Sequence, residues 1–250
     1  MRYAGFPCTV GVLLAASLAV SGIASAQQGR IYVIESTVTS IEAGKEYALS
    51  DRLTIPAGGT IRAVMPSGKT QTIRGPHSGP LSDLAKGQNM NERVFSWIKS
   101  FFETGGAQEK TIGAARSAAP PPPPPPAFSW TAVPIDHDGD VCVIKGRPLQ
   151  LVRAHTKSAG RITVVDVEKA GKGDARWAKG GWTTAWPSSV AVRPDGTFTL
   201  LVPDEPAREV TLRVLDRVPG ADDTLNALAA RGCKEQFDAW MRQQMKGKAS

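Results

Sequence analysis

Few side chains in this 250-residue chain are suited to chemistry, and they are scattered. His77, one of three histidines, stands beside Ser78 in the segment Gly75-Pro76-His77-Ser78-Gly79-Pro80. A base and the hydroxyl it activates must face each other within hydrogen-bond reach, which adjacent residues seldom do, so this segment is expected to be a turn. Asp136, Asp138 and Asp140 alternate like oxygen ligands to calcium. A calcium loop, however, needs glycine at its sixth position, where Val141 stands, and a glutamate at its twelfth, which is missing. An acidic turn before a strand is the expectation there, and Asp204-Glu205, set between two prolines, reads as another solvated turn. Motifs for hydrolase nucleophiles, zinc hydrolysis and phosphate-cradling glycine loops are absent. No catalytic residue, cofactor site or metal site is therefore expected, and the predicted class is a non-enzyme.

The cysteines point to a compartment. Arg2 supplies a positive start, Val10 to Val20 is an apolar run, and Ala24-Ser25-Ala26 has the small residues of a cleavage site. Residues 1–26 thus read as a secretory signal peptide cleaved after Ala26, with a periplasmic or secreted product. The apolar run is shorter than the roughly 20 residues of a membrane span, so no transmembrane segment is expected in the mature chain. Cys8 leaves with the signal, and Cys142 and Cys233 remain as an even pair in an oxidising compartment, most simply one disulfide.

The remaining candidates are tryptophans beside basic residues. Trp177, Trp182 and Trp186 follow one another closely, and residues 145–179 hold nine Lys+Arg against three Asp+Glu. Aromatics on a groove stack on sugar rings or anchor peptides, and cations beside them attract anionic partners. Filling a sandwich core is the first expectation for the three rings, because large aromatics dominate core burial. A ligand or partner face made of Arg176, Trp177, Lys179, Trp182 and Trp186 is the second. The formal charge of +7 is otherwise spread evenly along the chain, and nucleic acid is not an expected partner in this compartment.

The elements that must position these residues are mainly strands. Ile31 to Ile34, LTI, TIRAVM and TQTIR are short β runs separated by Pro56-Ala57-Gly58-Gly59 and Pro66-Ser67-Gly68 turns. Beyond the His77 segment the period changes. Val94, Phe95, Ile98, Phe101 and Phe102 recur at three and four residues, predicting an amphipathic helix over 91–103 that covers the small sheet. Seven consecutive prolines, Pro120 to Pro126, then form a stiff spacer that no helix or central strand accommodates. The expected organisation is a signal peptide (1–26), a small β-rich domain with its helix (27–118), a polyproline linker (119–127) and a β-sandwich domain with C-terminal helices (128–250). In that last part VCVI, LQLVR, RITVVDV, FTLLV and EVTLRVL, with segments 174–177 and 182–186, give about seven strands. From Asp222 the pattern is helical, with a break at Gly232.

The stretch from Asp51 to Gly79, DRLTIPAGGTIRAVMPSGKTQTIRGPHSG, resembles the short-stranded repeat of FecR-like domains. The resemblance implies a β-roll or sandwich for this segment. The C-terminal part is similar to an uncharacterised family of exported proteobacterial proteins, through Trp130, Gly139-Asp140-Val141-Cys142, Leu149 to Arg153, Trp186-Pro187, Pro194 to Phe198 and Gly232 to Gln236. It implies export, a disulfide and nothing catalytic. Together these readings predict a non-enzymatic exported interaction or assembly module whose partner is another envelope protein or a cell-wall polymer. The alternative is a glycan-, peptidoglycan- or anionic-polymer-binding protein that uses segment 176–186.

Overall fold

A computed structural model describes residues 29–106, 128–153 and 160–246. The predicted signal peptide and the proline run lie outside the described residues. Among those described, the fold is mainly β, with strands in four sheets and three α-helices.

The N-terminal unit is built from β1 (Arg30–Ser36), β2 (Lys45–Ala48), β3 (Arg52–Ile55), β4 (Thr60–Val64), β5 (Thr70–Arg74) and β6 (His77–Pro80). Four of these pair antiparallel in the order β2-β1-β4-β5, while β3 pairs with β6 in a separate layer. Strand pleat sends alternate side chains to opposite faces. In β1, Ile31 and Val33 meet Leu53, Ile55, Ile61 and Leu81 on one side, whereas Tyr32 and Ile34 belong to a second core on the other. In the sequence, Ile61, Ala63 and Met65 alternate with Arg62 and Val64, which suits a strand with one buried face. Val64 is instead as buried as Ala63, because a helical layer lies against it. The expected turn at 75–80 is also in part a strand, since β6 supplies the partner β3 needs.

The predicted helix forms as α1 (Glu92–Glu103), whose N-cap Asn91 accepts a hydrogen bond from the Val94 N–H at 3.2 Å. Val94, Phe95, Ile98 and Phe101 do cover the sheet. The same face also meets α2 (Thr224–Ala230) and α3 (Lys234–Lys246) from the far end of the chain. Leu225, Leu228, Phe237, Trp240 and Met241 complete this core, with Trp97 edge-on to Phe237 at 5.3 Å. Segments on either side of the proline run thus share one hydrophobic core. Polar contacts rim it: Thr70 N–H to the Asp222 carbonyl at 2.8 Å, Asn91 to Asn226 at 3.0 Å, and Arg93 to the Ala229 carbonyl at 3.1 Å. Gly68, at φ +80°, lies so close to Asn226 that a Cβ there would clash with its amide oxygen. The turn glycine read from sequence is therefore also a close-approach point between the two segments.

The C-terminal strands are β7 (Ala132–Pro134), β8 (Gly139–Ile144), β9 (Gln150–Val152), β10 (Gly160–Asp166), β11 (Lys172–Trp177), β12 (Thr183–Ala185), β13 (Gly196–Leu201) and β14 (Arg208–Leu215). Five form a sheet in the order β11-β10-β13-β14-β8, antiparallel except for the parallel β14–β8 pair. The other three form a sheet in the order β12-β9-β7, and a core containing Val143, Leu151, Ile162, Phe198 and Leu212 lies between the two.

Cys142 of β8 and Cys233, immediately before α3, form the expected disulfide, with Cα atoms 5.8 Å apart and both residues fully buried. Next to it, the buried Gln236 side chain accepts from Cys142 N–H at 2.6 Å and donates to its carbonyl at 2.8 Å. An amide side chain here takes the place of a neighbouring strand. At the opposite edge, the Thr184 and Ser189 hydroxyls donate to the carbonyls of Arg176 and Lys172 in β11 at 2.9 and 3.1 Å.

Candidate functional site

The predicted ligand face is split by the pleat of β11. Gly173, Ala175 and Trp177 point into the sandwich, whereas Lys172, Asp174 and Arg176 point out. Trp177 is 3% exposed and lies beneath the Arg153 guanidinium. Trp186 is also buried, its indole N–H donating to the Val190 carbonyl at 2.8 Å and its ring edge-on to Phe198. These two rings are core, and no stacking platform is formed by all three tryptophans. Trp182 is half-buried, with an indole nitrogen that has no hydrogen-bond partner among the described residues. Arg176 and Lys179 are exposed, as the ligand-face reading requires.

Register then adds residues that the sequence did not single out. Arg161 of β10 stands directly opposite Arg176, and Thr163 opposite Asp174. Like charges paired across strands are destabilising, so this pair is a cost to the sheet. The outward face consequently carries Arg161, Lys172 and Arg176 around a single carboxylate, with Lys179 just beyond the end of β11. Asp174 is held below the usual carboxylate range, first by the Thr163 hydroxyl and then by Arg161, Lys172 and Arg176. The signal for this face was alternation within KGDARW, which places 172, 174 and 176 together on one side.

Other charged groups are committed to holding strands and turns. Asp138 accepts from the Glu209 N–H at 2.7 Å and pairs with Arg208, and Asp140 pairs with Arg213. Two of the three alternating aspartates therefore tie β8 and the turn before it to β14. His77 and Ser78 are successive residues of β6 and point to opposite faces, so they form no dyad.

Asp166, 3% exposed at the end of β10, accepts from the N–H groups of Glu168 and Lys169 at 3.0 Å and from two nitrogens of Arg193 at 2.8 and 3.1 Å. Arg193 foremost, with those backbone donors, holds its carboxyl well below the usual carboxylate range. A depressed folded-state pKa contributes stability that is present above the unfolded value near 4 and is lost as pH falls toward the folded one. Asp166→Asn is expected to lower the urea midpoint at pH 7 and to lose that difference progressively below about pH 4. Equal differences at pH 7 and pH 3 in urea titrations would contradict this.

The chain matches no family model, and no curated protein or solved structure is significantly similar to it.

Proposed function

We propose that the protein is a non-enzymatic exported module that docks an acidic surface of another envelope protein on the outward face of β10 and β11. The observation that carries this reading is the register pair Arg161–Arg176, flanked by exposed Lys172 and Lys179. Two arginines set opposite each other on an open sheet repel, the single Asp174 carboxylate offsets only part of the charge around it, and an anionic partner would relieve the rest. The disulfide fits an oxidising compartment. The FecR-like and exported-protein resemblances are consistent with envelope placement, and they remain part of the proposal.

Burial of Trp177 and Trp186 favours the protein-docking reading over a glycan platform, which would need exposed rings. In-cell crosslinking followed by partner identification tests it. Lys172→Glu with Arg176→Glu is expected to reduce capture of the crosslinked partner by about tenfold or more, with thermal melting used to check that the variant stays folded. Unchanged capture would refute the docking face. Sedimentation with purified sacculi that is lost in Trp182→Ala and kept in the double variant would favour the glycan reading instead.

A further inference from the structure

Leu149, Leu151 and Arg153 occupy alternate positions along β9 and its flanks, and all three are buried. The alternation that carries two leucines into the core carries a guanidinium with them, leaving Arg153 only 5% exposed. Its Nε donates to the Gly181 carbonyl at 2.9 Å, an Nη faces the Ala178 carbonyl at 3.5 Å, and the group lies 5.2 Å from the Trp177 ring centroid. None of these partners carries a negative charge. A buried cation is ordinarily matched by an anion, because carbonyls and a ring replace only part of its hydration. Beside it the Trp177 indole N–H is buried without a hydrogen-bond partner among the described residues.

These two groups line a cleft of about 230 Å³. Exposed Arg161 and Asp204 stand at its mouth. The cleft is smaller than the roughly 300–1,000 Å³ of sites for drug-sized ligands, so its occupant is small. Two guanidinium groups, Arg153 at the floor and Arg161 at the mouth, with the Asp204 carboxylate beside them, match a molecule with a carboxylate at one end and an ammonium at the other.

We propose that this cleft binds a short zwitterionic peptide or free amino acid, its carboxylate directed to Arg153 and Arg161 and its ammonium to Asp204. The site shares Arg161 with the outward docking face, but its floor, Arg153 and Trp177, takes no part in that face.

The probe is glycylglycine, and the readout is the Trp177 indole N–H resonance of the isotope-labelled protein, assigned by its loss in Trp177→Phe. Glycylglycine is expected to shift this resonance saturably at concentrations up to about 10 mM. Arg161→Ala, a change at an exposed position that leaves the fold intact, is expected to weaken the effect by at least about threefold. Arg153→Lys should abolish it, and the Arg161 variant keeps the test decisive if Arg153→Lys does not fold. Glycinamide, which lacks the carboxylate, and N-acetylglycine, which lacks the ammonium, should both bind more weakly than glycylglycine. Absence of a saturable shift, glycinamide equal to glycylglycine, or no effect of Arg161→Ala would overturn the carboxylate site. N-acetylglycine equal to glycylglycine would overturn the zwitterion assignment.

Discussion

Replacing Cys142 and Cys233 together by alanine is expected to lower the unfolding free energy by about 4 to 5 kcal/mol, the loop-closure value for a crosslink spanning this much chain. The two residues are 91 apart, and nearly all of the five-stranded sheet and α2 lie between them. Without the bond the unfolded chain regains the freedom of that whole loop, while the native state still has to bring β8 and the start of α3 together. Small domains are stable by only about 5–15 kcal/mol in total, so the loss is a large share of what holds the protein folded. Urea titration of the double variant beside the wild type measures it. A thiol count on denatured chain lacking residues 1–26 is expected to find none free. Two free thiols, or a variant within 1 kcal/mol of wild type on the usual ±10–15% extrapolation error, would contradict the staple.

Phe237→Ala should cost a further about 3 to 5 kcal/mol, the range for truncating a fully buried phenylalanine. More telling is where the damage appears. Phe237 belongs to α3, yet its ring packs edge-on against Trp97 of α1 and shares a core with Tyr32, Ile34 and Val64 of the N-terminal sheet. Amide exchange should therefore accelerate in β1 and β4, far away in sequence, by the factor that matches the global loss. A single unfolding transition is expected for both segments. If exchange at Ile31 to Ile34 is unchanged in Phe237→Ala, the shared core does not couple them.

The strands were legible where apolar residues recur at every second position, as Ile61, Ala63 and Met65 do in TIRAVM and Ile162 and Val164 in RITVVDV, because period-two alternation is a direct imprint of the pleat. The helix over 91–103 was legible for the corresponding reason at its own period. Three short strands were not. β2 is charged and largely exposed, β6 is made of His-Ser-Gly-Pro, and β7 is three residues long, so each forms because a neighbour offers it backbone groups. The shared core was hidden for a different reason. A proline run announces separation in sequence, while the docking of α1 on α2 and α3 depends on which apolar faces remain uncovered after each unit has folded. The disulfide was readable from the even pair of cysteines left after the expected leader. The ligand face was read as a cluster of five residues, but the pleat divides it, sending Trp177 inward and Arg176 outward. Arg153 was within reach of the same logic. It shares the parity of Leu149 and Leu151, yet a charged residue at a strand's end is usually assigned to solvent without a check of its phase.

The two outer strands of the five-stranded sheet have a consequence for the protein in a crowded compartment. An exposed strand edge is a template on which another copy can add a strand, and repeated addition leads to fibrils. Here the backbone of β8 at Cys142 is already occupied by Gln236, and the carbonyls of β11 at Lys172 and Arg176 by two hydroxyls. The chain carries its own stoppers against polymerisation. The stopper on β8 sits three residues after the disulfide's Cys233, so reduction would loosen the anchor that holds Gln236 against the strand and open that edge to self-assembly.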